Sequence, residues 1–126
     1  MRQRRKGVHE WNREEAIALQ RLFDALGLVT REMGRRTPLR RLALLMAVAA
    51  NPDITVASAA AKAKAVEKTA RTDVLALGAV DRLGAPGLKF ISQRWDSSGP
   101  HDVLTYSITP RGRSFLERLG AAVDGA

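Results

Sequence analysis

Apolar residues return every three or four positions between Asn12 and Glu32, where Ile17, Leu19, Leu22, Phe23, Leu26 and Val29 predict one long amphipathic helix. Gly27 weakens the second half of that pattern. The apolar stripe exceeds what one small neighbouring helix would cover. It is therefore expected to serve partly as core and partly as a dimer contact through Ile17, Leu22, Phe23, Leu26 and Val29, although a purely intrachain role fits the same spacing. A second helix should open at Thr37-Pro38, with the hydroxyl capping a free backbone N–H and proline in the first turn. Its expected buried stripe is Leu39, Leu42, Leu45, Met46 and Ala49. Asn51-Pro52-Asp53 should end it, and Ile54-Thr55-Val56 suits a short strand.

The next stretch repeats helical spacing on a shorter scale. Thr55 can cap a helix over about 56 to 63, whose small residues Ala59, Ala60 and Ala63 allow close packing. A turn at Lys64-Ala65-Val66 leads to a helix over 67 to 77, with Ala70, Val74 and Leu77 inside. Its other face carries Lys68, Thr69, Arg71 and Thr72, a mixture suited to reading base edges in a DNA groove, with Arg71 the leading reader. Glu67 suits the positive end of that helix, and Asp73 either orients basic neighbours or avoids phosphate. The alanine-rich run from Ala57 to Ala65 also reads as a low-complexity surface helix. Residues 78 to 87 read as a loop or a short helical extension. Residues 88 to 95 and 102 to 109 form two strand-like runs around the turn-forming DSSGPH, with Trp95 and Tyr106 expected to pack this hairpin against the helices. Thr109-Pro110 then starts a last helix containing Phe115, Leu116 and Leu119. The predicted fold is mainly α with a small β-hairpin, a winged helix-turn-helix that binds double-stranded DNA.

Charge supports that expectation without naming the ligand. The 126 residues carry 21 Lys and Arg against 13 Asp and Glu, a formal net charge of +8, which favours a polyanionic partner. The chain is long enough for one core, assigned to residues 9 to 120, between a basic arm at 1 to 8 and a flexible tail at 121 to 126. Arg2, Arg4, Arg5 and Lys6 of the arm suit phosphates or a minor groove, and equally a solubilising tail. Arg35, Arg36, Arg40 and Arg41 lie where they either touch a DNA backbone or remain solvated. Lys62, Lys64, Lys89, Gln93, Arg94 and His101 are the other backbone or wing candidates. No cysteine occurs, which excludes disulfides and thiolate chemistry and fits a cytoplasmic protein. The apolar run from Leu42 to Ala50 is too short to span a bilayer, which needs about 20 residues. Neither His9 nor His101 belongs to a metal-like or catalytic cluster, and no glycine motif cradles phosphate, so neither a cofactor nor an enzyme is expected. A small-molecule effector would leave no motif at all.

The segment from Pro38 to Leu119 resembles the winged helix-turn-helix regulators of the multiple-antibiotic-resistance (MarR-like) type. The resemblance implies a transcriptional regulator, commonly a homodimer on an inverted repeat, with the second motif helix in the major groove and the hairpin near the backbone or minor groove. The family's small pair falls on Ala59-Ala60 and its recognition segment on Thr69, Arg71 and Thr72. Its turn glycine falls on Lys64 and its small polar cap on Val66, both departures. The segment YSITPRGRSF corresponds to the passage from wing to a helix often used in dimerisation, yet no long C-terminal arm follows in this sequence. A protein-interaction or assembly module on the same scaffold is the alternative expectation, and RNA binding a third, without an aromatic single-strand platform to favour it.

Overall fold

A computed structural model describes residues 10–125. It contains five helices and three short strands in the order α1 (Arg13–Met33), α2 (Leu39–Ala50), β1 (Ile54–Thr55), α3 (Val56–Lys62), α4 (Glu67–Leu77), β2 (Ile91–Asp96), β3 (Val103–Ile108) and α5 (Pro110–Asp124). The fold is mainly helical, with a small antiparallel sheet in the strand order β1-β3-β2.

Local chemistry explains most of the helix boundaries. Asn12 caps α1 by accepting from Glu15 N at 2.8 Å, while the Glu15 carboxylate accepts from Asn12 N, a reciprocal capping box. Gly27 does not interrupt this helix, because tertiary packing of Ala25, Leu28, Val29 and Met33 outweighs its poor propensity. Thr55 caps α3 through Ser58 N, and Thr109 caps α5 through Gly112 N with Pro110 in the first turn. Thr37 behaves differently from the expected cap. Its hydroxyl donates to Met33 O at 2.6 Å, tying the end of α1 to the start of α2, and Pro38 holds the cap position of α2 without a side-chain bond.

The core lies around α2, which packs on α3, α4 and β3. Its buried residues are Leu42, Leu44, Leu45, Ala47 and Val48, whereas Leu39 and Met46 are exposed at 73% and 45%. The expected stripe is therefore turned, because α4 and the sheet cover a different arc of a helix that is apolar almost all round. Phe90 and Phe115 are fully buried, with ring centroids 4.9 Å apart and planes 11° apart, and lock the entry of β2 to α5. This contact demands glycine at 112, since a Cβ there would collide with the carbonyl oxygen of Phe90. Residues 78 to 87 make no helical extension. Val80 bridges Pro86, and the Asp81 carboxylate accepts from Leu83 N and Ala85 N. The last helix reaches Asp124, through most of the expected tail.

Helix α1 lies along α5 and is tied to it by Arg118, whose guanidinium donates to Glu32 at 2.8 Å. That bond, the largest influence, holds the Glu32 carboxyl below its ordinary value. A lowered folded value means that the contribution is complete above the ordinary carboxylate range and is lost as pH falls through the lowered value. Unfolding curves of wild type and Glu32→Gln should thus differ at neutral pH and converge in acid. A pH-independent gap would show that the carboxylate charge is not involved.

Candidate nucleic-acid interface

Helices α3 and α4 meet through a turn whose geometry follows from small residues. Ala59, Ala60 and Ala70 are buried, which brings the two helices together. Lys64 adopts φ +55° in the turn between them, a left-handed conformation that usually favours glycine. Val66 then caps α4 with no side-chain bond. Both departures noted in the sequence are therefore accommodated by the backbone, and α4 spans the expected residues.

At about 100° per residue, α4 turns Ala70, Asp73, Val74 and Leu77 inward, so the opposite arc is centred on Lys68, Thr72 and Leu75. Lys68 and Leu75 are exposed, and Thr69 and Thr72 are half-buried. Arg71 lies on one flank. It donates to Glu67 at 3.4 Å and, with Glu67, lines a groove against Val103, Leu104 and Tyr106 of β3. Burial pushes the Tyr106 phenol up, and the nearby positive charge of Arg71 opposes this. Leu75 had no expected role, and its apolar spacing resembles that of a core residue.

The other flank of α4 belongs to α2. Asp73 is fully buried and accepts from Arg41 Nε at 2.9 Å and from Arg40 Nε at 3.2 Å. Arg40 and Arg41 are thus engaged by a carboxylate, and Asp73 ties α4 to the start of α2. No local signal announces a buried aspartate, because its partners lie more than thirty residues away.

The hairpin borders the first flank. In the register Gln93↔Tyr106 and Trp95↔Leu104, these four residues share the face that carries the buried Tyr106 ring. Gln93 and Lys89 line a groove of about 700 Å³ with Leu75, Val74 and Tyr106. Lys89 is exposed at φ +60°, its carbonyl accepting from Thr109 Oγ1 at 2.7 Å. Arg94 points to the opposite face and reaches Asp53 at 2.9 Å, so it does not lie beside Gln93. Trp95 is 65% exposed and does not pack against the helices as Tyr106 does, because its register position lies toward the hairpin turn. At that turn the Ser98 side chain, and after it the Ser98 backbone N–H at 3.0 Å, lower the carboxyl of Asp96 below its ordinary value, and His101 is exposed. Lys62 and Lys64 are exposed at the end of α3 and in the following turn. Arg2, Arg4, Arg5 and Lys6 lie outside the described residues.

The dimer candidates divide. Ile17, Leu22, Phe23 and Leu26 are exposed, Phe23 to 71%, whereas Val29 is buried in the core at the floor of the groove beside them. Leu22 and Leu26 border an apolar groove of about 650 Å³ with Met46 of α2 and Leu116 and Val123 of α5. Among the described residues, no group of His, Asp and Glu is arranged to hold a metal, and no helix is long and apolar enough to cross a membrane. Set against known protein families, characterised proteins and solved structures, the chain matches none.

Proposed function

We propose that this is a winged helix-turn-helix protein that binds double-stranded DNA sequence-specifically and regulates transcription as a homodimer. The observation that carries the reading is the setting of α4. Its outer arc carries the exposed Lys68 and Leu75 with the half-buried Thr72 between them, Arg71 and the hairpin border one long side, and Arg40 and Arg41 border the other. An exposed helix framed on both sides by positive groups matches what a major groove requires: side chains for base edges in the middle and cations for phosphates at the rims. The hairpin serves as the wing, where Gln93 and Trp95 face the same side as Tyr106. The formal charge of +8 supplies long-range attraction.

Selection of duplexes from a random library, read at several salt concentrations, tests this reading. Enrichment of one motif supports it, while uniform retention of all duplexes would reduce it to general polyanion binding. The exposed Leu75, Leu83 and Trp95 favour the alternative of a protein-interaction module, which the same experiment would support by retaining no duplex.

The exposed row on α1 supplies the dimer surface in this proposal. A twofold pair of α4 helices would then meet half-sites about 34 to 36 Å apart, or a multiple of that. Sedimentation equilibrium should show twice the chain mass for wild type at micromolar concentration and the single-chain mass for Phe23→Glu, with the helical circular dichroism of both unchanged. A wild-type monomer on its selected DNA would sink the dimer.

A further inference from the structure

Among the described residues, Asp73 is the one charged side chain inside the core. Burying a carboxylate requires compensation, and here each oxygen receives one bond, Oδ1 from Arg41 and Oδ2 from Arg40. A single arginine would neutralise the charge. Two leave the cluster with a net charge of +1, more than burial of Asp73 demands. Each arginine spends only its Nε–H on Asp73, and a guanidinium carries five N–H donors. Among the described residues the Nη groups of Arg40 and Arg41 make no hydrogen bond, and the two side chains are 46% and 22% exposed. Asp73 therefore holds two guanidinium groups side by side with their forked ends unspent, along the flank of α4 that also carries Thr69.

Resting on the DNA-binding reading above, we propose that Asp73 is a positioning residue for a phosphate clamp. It orients Arg40 and Arg41 so that their remaining N–H groups grip one DNA backbone phosphate beside the groove that α4 enters. Forked arginine donors match the paired oxygens of a phosphate, and a fixed fork loses less conformational freedom on binding than a free one.

The sign of one substitution separates positioning from simple electrostatics. Removing a negative charge near a polyanion should tighten binding if Coulomb attraction alone matters; removing the group that aims two arginines should weaken it. Anisotropy titrations of a selected and an unrelated labelled duplex, over a salt series, would compare wild type with Asp73→Asn, Arg40→Gln and the double variant, each checked for native circular dichroism. Arg40→Gln should weaken both duplexes alike and reduce the salt slope by about 0.9, the value for one phosphate. Asp73→Asn should weaken both duplexes too, and the double variant should be no worse than the weaker single. Arg40→Lys covers the case in which Asp73→Asn does not fold: its single ammonium cannot hold Asp73 and the phosphate with a planar fork, so it too should weaken both duplexes. Tighter binding by Asp73→Asn, strictly additive losses, or wild-type affinity in both Arg40 variants would overturn the clamp while leaving DNA binding intact. A wild-type protein that binds neither duplex would overturn the DNA reading and the clamp together.

Discussion

Phe115→Ala should lower the free energy of unfolding by about 3 to 5 kcal/mol, the range for a fully buried aromatic ring whose loss leaves a cavity. Phe115 is 0% exposed and stacks on Phe90, and the close approach of α5 at Gly112 leaves the backbone little room to collapse into the space. The ring also joins α5 to the entry of β2, so the loss loosens the base of the hairpin as well as the core. Urea titration followed by circular dichroism measures the effect. Leu83→Ala is the matched control: it removes apolar surface from a side chain 81% exposed and should change stability by no more than about 0.5 kcal/mol. Equal effects at the two positions would contradict the placement of the core.

Arg71→Ala should cost about 1 to 3 kcal/mol per half-site on the selected duplex and flatten preference at one base position, if its guanidinium reads a guanine. Its present partner, Glu67 at 3.4 Å, is an exposed i, i+4 pair that costs little to break, so Arg71 can turn toward a base edge at small expense. Lys89→Ala should instead weaken selected and unrelated duplexes by similar factors, because a phosphate contact carries little base information. Paired titrations of matched and one-base-altered duplexes decide between these roles. Unchanged preference after Arg71→Ala would remove it as the reader and shift attention to Lys68 and Thr72 at the centre of the outer arc. Base-selective loss after Lys89→Ala would overturn the division of labour between helix and wing.

Local pattern was enough for the elements themselves. The three-to-four spacing in α1 and α4, the hydroxyl caps at Thr55 and Thr109, and the paired runs around DSSGPH depend on a few successive residues, and each corresponds to an observed element. The buried face of α4 was also legible, since Ala70, Val74 and Leu77 are its spaced apolar residues. Helix α2 resisted the same approach. LRRLALLMAVAA is apolar around most of its circumference, so its sequence does not say whether Met46 or Val48 faces inward.

Trp95 and Tyr106 illustrate the same boundary between local and distant causes. Both are aromatic and share one face of the hairpin, but only Tyr106 lies on the central strand beneath the helices. Alternation along a strand sets the side on which a residue points, and the extent of the layer above sets whether it is covered. Asp73 is the furthest case. Its charge predicts exposure, and two arginines some thirty residues earlier in the chain reverse that preference by supplying a bond to each oxygen. The sequence alone determined which segments are helical or extended, because backbone periodicity and capping act over a few residues. The tertiary structure decided which apolar residues are covered, which cations are already engaged and which side of α4 is open, because those outcomes depend on partners that only folding brings within contact distance.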